Sequence, residues 1–234
     1  MNSIAVMQPY FFPYIGYFQL IKEVDKFIFY DDVNYITGGW INRNRILING
    51  EAKYLTIPCK NASQNRLIKD IDHSLTERDQ KKLLKKIRFT YSNAPYFEYV
   101  FPIIGEVFKT EIELISELAI ESIKRVADYL ELECEFQKSS EKYDNQELDA
   151  ADRLIDICKI EGINHYVNSI GGKELYDKQY FLENEVKLDF LEPSIIEYEQ
   201  FNNKFIPGLS IIDVLMFNSI SNIKNKLLVN YKLV

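Results

Sequence analysis

Within its first thirty residues the chain passes through an apolar run, an amphipathic segment and a second apolar run, and this order narrows the fold more than any other feature. Ile4-Ala5-Val6-Met7 is apolar without alternation and is stopped by Pro9, the pattern of a buried strand. Residues 14–21 place apolar side chains at helical offsets, and the segment ends near Glu23. Residues 26–30 form the second run, closed by Asp31-Asp32. Strand, helix and strand joined by a short first connection make a parallel βαβ unit. The expected fold class is therefore α/β, a mostly parallel sheet with flanking helices.

Residues 33–58 follow a different rule. Arg45-Ile46-Leu47-Ile48 meets Asn49-Gly50, and Tyr54-Leu55-Thr56-Ile57 follows before Pro58. Asn-Gly is a tight-turn signal, so this stretch reads as an early antiparallel hairpin that continues the sheet, with residues 51–53 lengthening its loop. Helices then dominate: one from Thr76-Glu77 to about residue 89, a short one over 95–101 that Pro102 breaks or kinks, and the longest over 111–132. A strand near 133–137, a helix over 145–161 and strands over 165–170 and 186–191 come next. Ser210, with Asp213 three residues on, caps a final helix. No repeat or linker interrupts the chain. Residues 1–234 are expected to form one domain, with a minor break near 138–146.

Charge decides which partners to set aside. The net charge is −7 but uneven: residues 40–90 hold 12 Arg/Lys against 5 Asp/Glu, and residues 98–200 hold 10 against 25. Overall acidity argues against nucleic acid as a partner. The basic segment suits a phosphorylated small molecule, although Lys81-Lys82-Leu83-Leu84-Lys85-Lys86 reads as the outer face of an amphipathic helix. Cys59, Cys134 and Cys158 are scattered, fit a reducing compartment and show no zinc-binding spacing. The start lacks the basic region of a signal peptide, and no apolar run approaches the roughly 18–20 residues of a membrane span. The expected location is cytoplasmic. A homo-oligomer stays open.

Three early segments carry the candidate chemistry. The first, Met7-Gln8-Pro9-Tyr10-Phe11-Phe12-Pro13-Tyr14-Ile15-Gly16-Tyr17-Phe18, fills the connection after the first strand and opens the helix. Ligands of parallel α/β proteins bind outside the carboxyl ends of the strands. Prolines fix the loop's course, Gly16 permits close approach, and free amides at the helix start favour an anion. An aromatic plug between sheet and helix is the competing account. The second segment, Tyr30-Asp31-Asp32-Val33-Asn34-Tyr35, leaves the second strand at the same edge. Its carboxylates can bind a cation, orient an amine or act as a base. The third, Gly38-Gly39-Trp40-Ile41-Asn42-Arg43-Asn44-Arg45, offers two guanidinium groups for phosphate and an indole to pack on a ring. Internal pairing of Arg43 and Arg45 with Asp31 and Asp32 is the alternative.

Asp31, Asp32 and Tyr14 are accordingly the candidates for catalysis. Gln8, Tyr10, Gly16, Tyr17, Asn34, Trp40, Asn42, Arg43 and Arg45 are the candidates for substrate binding. His73 and His165 read as structural, and Cys59 is a weak nucleophile candidate. No GxGxxG signals a dinucleotide, no residue cluster signals a protein-bound metal, and any cofactor is left unidentified.

These three segments, with Ser63-Gln64-Asn65 and Phe205-Ile206-Pro207-Gly208-Leu209-Ser210-Ile211-Ile212-Asp213, make the sequence similar to the WbqC-like protein family along essentially its whole length. That family is found among genes for O-antigen and related surface-polysaccharide synthesis. The resemblance therefore implies work on an activated sugar, and brings no assigned catalytic residues. The implied partner is a small molecule, a nucleotide sugar, and the implied activity is group transfer onto a nucleotide-activated amino sugar. A non-catalytic protein that binds such a ligand or organises the pathway's enzymes is the alternative. The chain also distantly resembles nucleotidyltransferase-like α/β folds. Where those carry His-x-Gly-His it has Tyr14-Ile15-Gly16-Tyr17, which leaves adenylyl transfer by imidazolium groups without its residues.

Overall fold

The computed structural model describes residues 2–109, 111–201 and 204–234. Strands β1 (Ile4–Met7) and β2 (Lys26–Phe29) run parallel, joined by helix α1 (Ile15–Glu23), with Ile4 beside Lys26 and Met7 beside Phe29. The chain then makes the hairpin β3 (Arg43–Ile48) and β4 (Glu51–Thr56), followed by helices α2 (Glu77–Tyr91), α3 (Phe97–Val107) and α4 (Ile115–Tyr129). Next come β5 (Glu135–Gln137), α5 (Ala150–Ile160), β6 (His165–Ser169), α6 (Lys178–Glu183) and β7 (Lys187–Pro193). Helix α7 (Ile211–Phe217) and strand β8 (Tyr231–Leu233) complete the order.

The main sheet has six strands in the order β5-β2-β1-β6-β7-β8, with only β8 antiparallel. Starting from β1, the chain adds β2 and β5 on one side and β6 and β7 on the other. Its direction of growth therefore reverses between β1 and β6, where doubly wound sheets open a crevice. Period-two alternation sends Ala5, Phe27, Phe29, Val167 and Leu191 to one face, where they pack with α1, α4 and α7. The other face carries Ile4, Val6, Ile28, Tyr166, Leu188 and Phe190 against α5 and Phe181 of α6. Both faces are dry, which explains why β1 reads as a continuous apolar run.

Four expectations change in detail. The hairpin forms a sheet of its own instead of extending the main one. Asn49 (φ 52°) and Gly50 (φ 76°) make a two-residue turn, so Ile48 faces Glu51 and residues 51–53 belong to the strand. Helix α3 runs through Pro102 to Val107. The hydrogen bond Pro102 cannot donate would end at Glu98, and both residues face solvent. Ser210 caps α7 by accepting from Ile212 N (3.2 Å), but Asp213 does not close a capping box. It is fully buried and accepts from Tyr91 Oη, Tyr198 Oη and Gln200 Nε2, each at 2.8 Å.

Candidate functional site

A cleft of about 400 Å³ opens outside the carboxyl ends of β1 and β6, where the order of the sheet reverses. Met7 and Ser169 end those strands and form its floor with Ile170 and Gly171. Tyr10, Pro13, Tyr14, Gly16 and Tyr17 come from the loop after β1 and the first turn of α1. Trp40, Asn44 and Arg45 reach in from the hairpin, and Gly208 from the approach to α7.

The loop after β1 is held in a conformation it would not adopt alone. Phe12 is fully buried with φ 40°, a region few non-glycine residues enter and one that costs of order 1–3 kcal/mol. Distant elements hold it there. Ser122 Oγ accepts from Phe12 N (3.0 Å), while Asn44 Nδ2 (2.8 Å) and Ser210 Oγ (2.7 Å) both donate to Phe12 O. Phe11 N donates to Trp40 O (3.1 Å). Gly16 has a separate purpose: a Cβ there would lie 2.4 Å from the Tyr14 ring, so only glycine lets that ring lie over the helix start.

Electrostatically the cleft favours an anion. Tyr17 N donates to Tyr14 O (3.1 Å), but no side chain caps the amino end of α1 and no acidic side chain occupies that first turn. Arg45 Nη2 donates to Gly208 O (3.0 Å) and its guanidinium lies 5.6 Å from the Trp40 ring, yet its Nε is buried without a partner among the described residues. Burial raises the phenol pKa values of Tyr10 and Tyr14, and raises that of Tyr17 much further. All three stay neutral at ordinary pH and serve as hydrogen-bond donors, with Tyr17 Oη already given to Gln8 O (2.9 Å). Among the described residues lining this cleft there is no carboxylate, imidazole or thiol.

Of the residues singled out in the sequence, Tyr10, Tyr14, Gly16, Tyr17, Trp40 and Arg45 thus share the cleft, while Gln8, Asp31, Asp32, Asn34, Asn42 and Arg43 lie outside its lining. Asp31 and Asp32 are buried and committed elsewhere. Asp31 accepts from Ser139 Oγ (2.6 Å) and Ser140 N (3.3 Å); burial nevertheless holds its pKa above the usual value. Asp32 accepts from Ser140 Oγ and Gln146 Nε2 (2.9 Å) and forms a buried ion pair with Arg153. The acidic pair is therefore engaged from the segment that begins at Ser139, with Arg153 as the cation on Asp32, and not by Arg43 or Arg45. Arg43 donates to Gly38 O and to Gly39 O (3.1 Å) and lies over the Tyr54 ring at 4.4 Å, bracing the glycine turn. Asn42 spans from Tyr35 Oη (2.9 Å) to Ile57 O (2.8 Å). Asn34 is exposed and bridges to Leu67, and Gln8 Oε1 is buried without a partner.

The remaining sequence candidates lie outside this cleft's lining. His73 Nε2 lies 2.6 Å from Ile112 O and Nδ1 accepts from Leu75 N (3.2 Å), contacts that tie the ring to the neighbouring backbone. His165 pairs with Asp189 (2.9 Å) at the amino end of β6, away from the cleft. Burial pushes the Cys59 thiol up to about 11, so it is not a thiolate at neutral pH.

The WbqC-like protein family model matches residues 8–225. The chain belongs to the WbqC-like family. A WbqC-like chain of this kind is also similar to Uncharacterized protein Rv1507c of Mycobacterium tuberculosis (strain ATCC 25618 / H37Rv), with 28% identity over 226 residues that cover 93% of this chain and 94% of the relative. No solved structure matches.

Sequence reading found the front wall of this WbqC-like cleft and missed its floor and rear. Ser169 ends β6 and Gly171 follows it, a small-residue end visible in the sequence, but nothing local says that this strand neighbours β1. Gly208 stood in a recognisable Pro-Gly pair; its positive φ (66°) and its carbonyl bond to Arg45 reveal its place only in three dimensions.

Proposed function

We propose that this WbqC-like chain binds a nucleotide-activated amino sugar in the cleft between β1 and β6 and transfers a group onto it during surface-polysaccharide (O-antigen-like) synthesis in the cytoplasm. The observation that carries the reading is a guanidinium with an unsatisfied buried N–H, Arg45, in the same cleft as the amino end of α1. That pairing suits a diphosphate. Trp40, partly exposed, packs on the base or sugar, and Tyr10 and Tyr14 donate to sugar hydroxyls or to a developing oxyanion.

In the amide-forming version, the sugar amine forms a C–N bond to an activated acyl carbon. The leaving group departs with the bonding electron pair, and the amine proton passes to water. Positioning and electrostatic stabilisation carry such a reaction. With Asp31 and Asp32 engaged by Ser139, Ser140, Gln146 and Arg153, their part is to hold the edge of the sheet beside the site.

A non-catalytic nucleotide-sugar-binding protein is the second reading, favoured by one observation: no carboxylate, imidazole or thiol lines the cleft among the described residues. Calorimetry with UDP-glucosamine and UDP-N-acetylglucosamine, followed by a turnover screen with acyl and aminoacyl donors, separates the two. Binding with a new product supports transfer. Binding without product across the panel supports the second reading, and no binding by any nucleotide sugar overturns both.

A further inference from the structure

Behind Tyr14 lies a second chamber, of about 310 Å³, which shares Tyr14 and Gly208 with the anion-binding cleft. Its walls come from α1 (Ile15, Gln19), from the segment after β7 (Ile195, Ile196, Tyr198) and from residues around Leu209. No charged side chain lines it among the described residues. Tyr198 Oη is already spent on Asp213 (2.8 Å). Tyr14, Ser194 and Gln19 are the other polar side chains of its lining, and Gln19 is the most deeply buried of them. It is 1% exposed, its Nε2 donates to Leu227 O (2.7 Å) and Asn230 O (3.2 Å), and its Oε1 has no donor among the described residues. A buried amide oxygen without a partner costs about 1–3 kcal/mol, so an occupant that supplies a donor is favoured twice over.

We infer that this chamber is a second subsite, which holds an uncharged acyl group bearing one hydrogen-bond donor, an amide N–H or a hydroxyl, beside the anion cleft. The inference rests on the proposed transfer reading for its biological meaning: the chamber would take the acyl part of the second substrate, with Tyr14 as the partition at which the two substrates meet. Size supports a chain longer than acetyl. An engineered apolar cavity of about 150 Å³ takes one benzene ring, so a chamber about twice that size accepts roughly a dozen carbon atoms. Charge supports it too, because an anionic or cationic occupant would find no partner here, whereas Arg45 stands next door.

The test uses butanamide, hexanamide and octanamide with the whole chain, read by calorimetry. Affinity is expected to rise about fourfold per added methylene, the ratio set by about 0.8 kcal/mol of transfer free energy. Methyl hexanoate, which has no N–H, is expected to bind at least tenfold more weakly than hexanamide. Leu209→Trp, which fills the chamber, is expected to abolish octanamide binding, and Gln19→Leu to erase the difference between hexanamide and methyl hexanoate. No binding by any amide, no dependence on chain length, equal binding of the ester, or octanamide binding unchanged in Leu209→Trp would each overturn the inference. The nucleotide-sugar reading is read separately on the same samples. UDP-glucosamine affinity should fall in Arg45→Ala while octanamide affinity changes less than threefold, so either ligand can fail without the other.

Discussion

Two clusters leave the neighbouring strands β1 and β2 at one edge of the sheet, and their polar groups fare oppositely. At the end of β2, Asp31 and Asp32 are met by Ser139, Ser140, Gln146 and Arg153, the last 121 residues further along the chain. At the end of β1, Tyr10, Tyr14, Gly16 and Arg45 line a cleft, and Arg45 Nε is buried with no partner among the described residues. In the sequence both clusters look equally functional. What separates them is whether distant segments deliver partners, and a saturated cluster holds structure while an unsaturated one waits for a ligand.

The sharpest way to break this contrast is to strip the saturated side. Arg153→Met leaves Asp32 buried without its cation, which should cost about 3–5 kcal/mol. For a chain of this size that is a fall in Tm of roughly 6–20 °C. Adding Asp32→Asn should recover part of the loss, and nucleotide-sugar affinity at a temperature where the variant is folded should be unchanged. A variant of normal stability that cannot bind ligand would reverse the assignment.

A second probe uses pH on another saturated carboxylate, Glu161, which pairs with Lys26 at the opposite, amino end of β2. Glu161 would be raised by burial, but Lys142 (2.7 Å), Lys26 (2.7 Å) and Tyr143 Oη (2.6 Å) outweigh this and hold it at about 2, below its ordinary 4.5. Because the folded value is the lower one, its stabilisation is present above pH about 4.5 and disappears as pH falls toward 2. Thermal unfolding across that window should show the parent losing on the order of 2–3 kcal/mol relative to Glu161→Gln. Parallel curves for the two proteins would mean the ion pairs contribute nothing.

The same contrast explains what the sequence could show. Residues 4–7 and 26–29 were legible as parallel strands because both faces of the sheet are dry and the apolar runs are continuous. The helix start at Thr76 was legible because its cap is local, Thr76 Oγ1 accepting from Asp79 N at 3.2 Å. Arg153 was not, since one arginine in an acidic helical stretch looks like any surface cation until β2 and α5 are brought together. The hairpin was legible and its placement was not: a turn is written in two residues, whereas the sheet it joins depends on contacts such as Asn44 with Phe12. Helix α6 and strand β8 are too short to carry a periodic signal.

On the unsaturated side, Arg45→Ala should weaken nucleotide-sugar binding about ten- to hundredfold, the worth of a charged hydrogen bond of roughly 1.5–3 kcal/mol. Arg43→Ala should do much less, since Arg43 is spent on the Gly38 and Gly39 carbonyls and the Tyr54 ring and lies outside the cleft lining. Calorimetric titration of both variants measures the ratio. Equal losses would move the anion site outward along the hairpin, and no loss in folded Arg45→Ala would remove it.

The smallest expected effect is the most discriminating. Gly16 sits in the first turn of α1, where replacing glycine with alanine normally adds up to about 1 kcal/mol of helix stability. Here the new Cβ would stand 2.4 Å from a Tyr14 ring carbon and 2.7 Å from its hydroxyl, so the ring must swing away. The atoms the new Cβ would meet are the far end of the half-buried Tyr14 side chain, not backbone, and the fold can release them cheaply. Gly16→Ala should therefore unfold within about 1 kcal/mol of the parent while binding UDP-glucosamine several-fold more weakly, because the displaced ring fills or reshapes the cleft it shares with Arg45. A glycine kept only for packing predicts the opposite division, a loss of stability with affinity intact. Thermal unfolding and calorimetry on this one variant thus ask whether the loop after β1 is built for the protein's own core or for what enters beside it.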